Sequence, residues 1–265
     1  MKPRGAEHEA LELEIARHWS VTREARVEDA MPAFLANPLI ADQIGRNSNV
    51  VVQVLDMQRF KSVYVSPNVF EVCGYTQEEN NARGVVQWLR NLTLRELAFQ
   101  VRNARLIGKV QKTLPPRSGF RSAMINSGMR CKDGRRLRIV SQNFTIEWDA
   151  KGRQTYQLFL WRDATHLFKD ENVVVRHEWS SPDAGAPVVW TYDAEKAKFS
   201  EQDLFSARER EVLALVREGL TSKEIGAALG ISPSTVENHR KNAIQRMQVK
   251  STEGLLEIGA WLRLL

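Results

Sequence analysis

The stretch that decides the reading is "LTSKEIGAALGISPSTVENHRKNAIQRM", residues 220–247. Two helix starts are written into it. Thr221 and Glu224 make a T-x-x-E capping box, in which each side chain answers the other's backbone N–H. Ile225, Ala228 and Leu229 then supply an apolar face, and Gly230 ends that helix. Ser232 caps the next helix and Pro233 takes its first turn, where the missing N–H would be unpaired anyway. Two short helices joined by "GIS" (230–232) make a helix-turn-helix. On a 3.6-residue period Val236, His239, Ala243 and Met247 share the packing face of the second helix, and Glu237, Asn238, Lys241 and Gln245 point the other way. A helix side with no apolar payload adds little to a core, so its composition is free to serve a partner. A DNA major groove admits one helix, and these side chains suit base edges: Asn to adenine, Lys to guanine, Glu accepting from cytosine. Ser222, Lys223, Ser234 and Thr235 sit at the two capped starts, where free N–H groups favour phosphate. Arg240, Lys241, Arg246 and Lys250 form a positive stripe suited to the DNA backbone. His239 lies on the packing face and makes no metal spacing with another histidine, so it reads as a core residue.

Working outward, Ser206 and Glu209 make another capping box ahead of Val212, Leu213 and Val216, and Gly219 ends that helix. Ser251 caps a fourth helix. Residues 205–265 therefore read as an all-α unit of four helices. Its residues Arg208-Glu209, Glu211-Val212-Leu213, Gly219, Lys223-Glu224-Ile225, Leu229, Ile231-Ser232, Thr235-Val236, His239 and Val249 closely resemble the LuxR/GerE-type helix-turn-helix. The resemblance implies a DNA-binding transcription factor. By position, Glu237, Asn238 and Lys241 fall where that family reads bases, and Arg208, Glu209 and Glu211 fall at structural positions. The fourth helix of the family often forms the dimer contact, which would set Leu255, Ile258 and Leu262 between two copies. The sequence departs from the family at Gly226, where alanine is usual, and at Ala243, where a larger aliphatic is usual. Gly254 and Gly259 lie in the fourth helix, each costing about 1 kcal/mol relative to alanine.

The front of the chain has a different grammar. Residues 1–48 read as a helical segment, with Leu11, Ile15 and Trp19 on one face and Pro32 and Pro38 breaking the remainder. "VVVQVLD" (50–56) and "FKSVYV" (60–65) are strand-like. Ser66-Pro67 reads as a helix start, Gly74 as its stop, and Thr76 with Glu79 as the next capping box. Residues 85–112 carry one or two helices. Strands follow over 120–130, 135–148 and 153–162, separated by "KDG" and "DAKG", both good hairpin signals. Leu137 and Ile139 are out of phase with Val140, Phe144, Ile146 and Trp148, which a bulge near Ser141 would reconcile. "YVSPNVFEVCGYTQEE" (64–79) and "MRCKDGRRLRIVSQNFTIEWDAKGRQTYQLFLWRDAT" (129–165) resemble the two ends of a PAS domain. The expected fold is thus α+β: a PAS-like five-stranded antiparallel sheet with short helices over 49–165, a linker over 166–204 with room for a hairpin, and the four-helix unit. Whether "NVVVRHEW" and "PVVWTYD" extend the sheet or brace the linker stays open.

The PAS resemblance implies a sensor of a small molecule, redox state or light, or a dimerisation platform. No histidine lies between His18 and His166, so the residue that ligates haem in one PAS subgroup has no counterpart, and the cysteine motif of flavin-binding light sensors is missing too. The cofactor is left unknown. A pocket filled by side chains and one holding an organic ligand both stand. Cys73 and Cys131 are too few for a disulfide framework and read as packing residues. The N-terminus lacks the apolar core of a secretory signal, and no apolar run would span a bilayer, so a cytoplasmic protein is expected.

The 265 residues carry a net charge of +6, unevenly spread. Residues 81–140 hold fourteen Lys/Arg against two acids, read as a solvated face, whereas residues 200–265 hold nine of each sign. DNA binding by the tail must therefore rest on where its charges lie. No P-loop, G-x-S-x-G or H-E-x-x-H motif occurs, nor a phosphoryl-receiver aspartate pocket, so no enzyme is expected. The leading expectation is a transcriptional regulator that binds double-stranded DNA as a homodimer. The rival is an interaction module docking on a protein such as RNA polymerase. A ligand-binding carrier is a remote third.

Overall fold

The computed structural model describes residues 49–265 except 91, 182–184 and 195, together with the helical residues Glu7, Ala10, Leu11, Glu14 and Ile15. The rest of the expected helical segment over 1–48, Trp19 included, lies outside the described residues. Ile15 is fully buried beside Leu55, Leu89, Leu97 and Val101, which agrees with its place on an apolar face.

One antiparallel sheet organises the chain. It runs β1 (Val51–Asp56), β2 (Lys61–Val65), β3 (Gly119–Arg130), β4 (Arg136–Trp148), β5 (Gln154–Asp163), β6 (Val174–Ser180), β7 (Val188–Asp193) and β8 (Lys198–Ser200). The spatial order is β2-β1-β5-β4-β3-β6-β7-β8. The first five strands make the antiparallel unit expected over 49–165. The five-strand expectation itself is corrected to eight: residues 166–204 add three strands to the outer edge of β3. Phe120, Ser122 and Met124 pair there with Trp179, His177 and Val175. An uncovered β3 would present a long row of unpaired backbone groups, so the addition satisfies that edge.

Three helices connect β2 to β3: α1 (Val69–Cys73), α2 (Gln77–Arg90) and α3 (Leu94–Gln111). Helix α1 starts later than read. Asn68 is its N-cap residue, because the Ser66 hydroxyl is taken by Val52 N–H at 2.9 Å and by Asn68 at 2.6 Å. Gly74 ends it with φ +78°, as expected. Thr76 and Glu79 exchange the expected capping bonds at 3.2 and 3.1 Å. A further capping box at Thr93 and Glu96, not singled out in the sequence, divides α2 from α3.

An irregularity does lie beside Ser141, but its extra residue is on β3: Met124 pairs with Ser141 and Ser127 with Ile139, with Asn126 at φ +62°, while the breaks between β4 and β5 fall around 145–148. The β3 bulge leaves the phase of β4 unchanged, and no change of phase is needed. The reason is that both faces of β4 are covered, so apolar residues on both phases are required rather than anomalous. Leu137 and Ile139 pack with Cys73, Cys131 and Trp161 on one face, and Val140 packs on the other. Burial raises the Cys73 thiol to about 11.

The basic stretch is only partly solvated. Arg102 and Arg105 are exposed. Arg138 is instead buried, donating to Asn126 Oδ1 at 2.6 Å and to Glu171 O at 2.9 Å. Arg136 pairs with Glu96 at 2.7 Å.

Four helices complete the chain: α4 (Ala207–Arg217), α5 (Ser222–Leu229), α6 (Pro233–Arg246) and α7 (Thr252–Trp261). They dock on the face of the sheet opposite α3. Ala123, Ile125, Val140 and Val174 of the sheet form one apolar cluster with Leu213, Met247, Leu255, Ile258 and Leu262. Polar ties seal the seam. Arg162 meets Glu257 at 2.9 Å, Gln142 donates to Trp261 O at 3.3 Å, and Arg121 donates to Leu262 O. The segment after β5 is stitched to the end of α6: Lys250 N–H donates to Leu167 O at 2.9 Å, and Phe168 bridges Val249.

Candidate nucleic-acid interface and sensor cavity

The C-terminal helices start where local chemistry says they should. Ser206 with Glu209 and Thr221 with Glu224 form complete reciprocal boxes, and Ser232 Oγ accepts from Thr235 N–H. The turn between α5 and α6 needs Gly226. A Cβ there would lie 2.7 Å from Ile231 O, whose own N–H donates to Gly226 O at 3.0 Å. Gly230 completes the turn in the left-handed region at φ +65°. The departure from alanine at 226 thus has a steric cause. The helices share an inner core of Val212, Ile225 and Val236, each fully buried. Ala228, read as part of the apolar face, is exposed.

Helix α6 divides as its period predicts. Val236, Ala243 and Met247 are fully buried and His239 is half-buried. Glu237, Asn238, Lys241 and Gln245 are exposed. Within the expected reading trio, however, the residues differ. Asn238 and Lys241 make no side-chain hydrogen bond among the described residues. The Glu237 carboxylate accepts from Ser222 Oγ and lies 3.3 Å from Arg240 Nη1. Arg240 in turn donates to Ser222 Oγ at 3.2 Å and to Thr252 Oγ1 at 3.1 Å. Ser222, Glu237 and Arg240 therefore lock the start of α5 to the middle of α6.

The expected phosphate residues also sort by geometry. Ser222, Lys223, Ser234 and Thr235 flank the helix starts; Lys223 and Ser234 are exposed, Ser222 and Thr235 half-buried. Ser234 Oγ and Thr235 Oγ1 lie 2.7 and 2.8 Å from Ser232 Oγ. Arg246 is placed differently from expectation. It donates to Glu209 at 2.7 Å and to Leu204 O at 2.9 Å, so it ties α6 to α4 rather than standing free. Burial alone would raise the Glu209 pKa, but the bonds from Arg246 and the Ser206 backbone outweigh it and hold the carboxyl low.

Helix α7 is covered within this chain. Leu255, Ile258 and Leu262, expected between two copies, are each 0% exposed within this one chain. The apolar side of α7 is turned onto the sheet, which offers a complementary apolar face at Ala123, Ile125 and Val140. Gly259 fits the same packing, since a Cβ there would lie 2.5 Å from Leu265 Cδ1.

The other face of the central strands opens on a cavity of about 380 Å³ beneath α3. Phe120, Phe159, Trp161 and Trp179 give it aromatic walls. Its buried polar lining is uncharged and includes Asn103, Ser122, Ser141, Asn143, Gln157 and His177. Lys112, Arg130, Lys151 and Arg153 stand at the rim, and no described carboxylate lines the space. His177 is 1% exposed, and its Nε2 lies 2.5 Å from Asn103 Oδ1. Burial pulls its pKa down to about 3, so it is neutral near pH 7. The sequence reading left open whether the pocket is filled and named none of its lining, although "IVSQN" (139–143) carries a signal: polar residues in a strand that has both faces covered.

Comparison with known proteins bears on the C-terminal helices. Residues 203–258 match the family model for bacterial regulatory proteins of the luxR family. The spore germination protein GerE of Bacillus subtilis is 45% identical over 53 residues, which cover 20% of this chain and 72% of GerE. The transcriptional regulatory protein MctR of Rhizobium johnstonii is 41% identical over 54 residues, 20% of this chain and 25% of MctR. This chain spans only about a quarter of the first curated relatives it matches, 25% and 28% of their lengths. Among solved structures, a VqmA dimer of Vibrio cholerae, described as a LuxR-type receptor, is 15% identical over 87% of each chain, with a TM-score of 0.31.

Proposed function

This chain belongs, through its C-terminal helices, to the LuxR family of bacterial regulatory proteins, and from that premise we propose that it is a transcriptional regulator whose α6 enters the major groove of DNA. The observation that carries the reading is the division of α6: one flank is spent on the core, and the opposite flank offers Asn238 and Lys241 to solvent with no side-chain partner among the described residues. Those two side chains read base edges. Glu237 acts chiefly through Arg240 and Ser222, orienting a cation and a hydroxyl toward the phosphate backbone. Lys223, Ser234 and Thr235 add contacts at the helix starts, where backbone N–H groups favour anions.

The eight-stranded unit is the controlling element. Its cavity receives a signal on one face, and its other face holds α7. Pairing of two copies through Leu255, Ile258 and Leu262 requires the C-terminal helices to leave the sheet. A pair of α6 helices could then reach successive major grooves about 34 Å apart. Selection of bound sequences from a random DNA pool tests the reading. Enrichment of a defined motif supports it, with affinity falling steeply as salt rises. No enrichment, or a flat salt response, contradicts it.

A further inference from the structure

Folding gathers part of the basic stretch into one row. From Val101 to Lys112 every exposed residue is a cation: Arg102, Arg105, Lys109 and Lys112. They recur every three or four residues, so they share one flank of α3, while Val101, Ala104 and Val110 are buried on the other. Arg105 Nε donates to Glu14 Oε1 at 2.8 Å. Arg102, Lys109 and Lys112 make no side-chain hydrogen bond or ion pair among the described residues. The one acid of α3, Glu96, lies in its first turn and is taken by Arg136 at 2.7 Å. The row continues past the helix, because Arg117 N–H donates to Gly152 O at 3.0 Å and so sets the exposed Lys151 beside the exposed Arg117. At 1.5 Å per residue Arg102 and Lys112 stand about 15 Å apart along the axis, a length over which a DNA duplex carries about nine charges. The composition of the row selects among polyanions. No apolar or aromatic residue is exposed between Arg102 and Lys112. A helix that lies on a bilayer sinks an apolar face into it, and a single strand is held by aromatic rings on which its bases stack. Cations alone fit the phosphate backbone of a duplex. The row also lies away from α6, since α3 packs on Phe120 and Trp179 of one sheet face and the C-terminal helices on Ala123 and Ile125 of the other.

We propose that this flank of α3 is a second, sequence-independent surface for double-stranded DNA, holding a segment of duplex other than the one at α6. The choice of DNA rests on the charge and composition of the row and stands apart from the reading of α6. Lysine footprinting on the full chain tests it. The chain is treated with an amine-acetylating reagent, with and without a random-sequence duplex, and acetylation is read at each lysine by mass spectrometry. At about 50 mM salt the duplex is expected to slow acetylation of Lys109 and Lys112 at least about threefold, and at about 500 mM salt the protection should vanish. Lys61 and Lys198, exposed on the two edge strands, should react equally with and without DNA. Arg102→Glu puts a negative charge into the row and should abolish the protection. If that variant fails to fold, the pattern on the unaltered chain decides. The proposal is overturned if the duplex leaves Lys109 and Lys112 unprotected, if their protection survives high salt or a folded Arg102→Glu variant keeps it in full, or if vesicles of anionic phospholipid protect them and the duplex does not. Lys223 and Lys241 are scored separately. Protection there alone defeats only the surface on α3, and protection at Lys109 and Lys112 alone defeats only the placement of α6 on DNA.

Discussion

Strands β3, β4 and β5 show two faces of opposite chemistry. Toward α3 they present Ser122, Ser141, Asn143 and Gln157 to a cavity; toward the C-terminal helices they present Ala123, Ile125 and Val140 to a closed apolar seam. Neighbouring residues thus serve different sites: Ser141 lines the cavity, while Val140 and Gln142 on either side of it meet the C-terminal helices. The contrast teaches that the sheet is both wall and lever. On the proposed reading, a shift in strand position that suited an occupant of the cavity would pass to the seam, because close-packed interiors transmit displacement rather than absorb it.

The largest effect should come from breaking the apolar face. Ile258→Ala removes a fully buried side chain from the seam and is expected to lower stability by about 2–5 kcal/mol, read from urea unfolding. A loss well under 1 kcal/mol would show that the seam is loosely packed.

The polar face makes a prediction in pH. His177 has a folded pKa of about 3 against an ordinary value of 6.5. Between those values the unfolded chain takes up a proton that the folded chain refuses. Stability therefore rises with pH through that window and is lost as pH falls below about 6.5 toward 3. Between pH 6.5 and pH 5 the loss should be roughly 1.5–2 kcal/mol, and His177→Phe should flatten it. An unchanged slope in that variant would locate the titration elsewhere.

Smaller still is the rim of the seam. Arg162 and Glu257 pair at 2.9 Å, with the glutamate 43% exposed. Glu257→Gln should cost no more than about 1 kcal/mol and should lose its effect in high salt. A salt-independent loss would mean that Glu257 acts through packing.

The two regions were unequally legible in the sequence. Caps at Ser206, Thr221, Ser232 and Ser251 were readable because each bond closes within about three residues, and the exposed flank of α6 followed from its period. What covers α7 was not readable. Leu255, Ile258 and Leu262 announce an apolar face, but whether a second copy or the chain's own sheet covers it depends on strands far away in sequence, such as those of Ile125, Val140 and Val174. The same limit applies to Arg246, whose charge suited phosphate until folding brought Glu209 beside it. Ser66 offered a helix cap and was claimed by β1 instead. The strands of 166–204 carried alternation, yet their pairing with β3 is a tertiary choice that no local signal encodes.

The central claim is that the outer flank of α6 reads base pairs. Selection from a random DNA pool, run in parallel on the unaltered chain and on Lys241→Ala, tests it most directly. The account predicts one defined motif for the unaltered chain. The variant should bind it about 1–3 kcal/mol more weakly, with preference relaxed at one base position rather than uniformly. An identical motif bound with identical affinity by both proteins would contradict it.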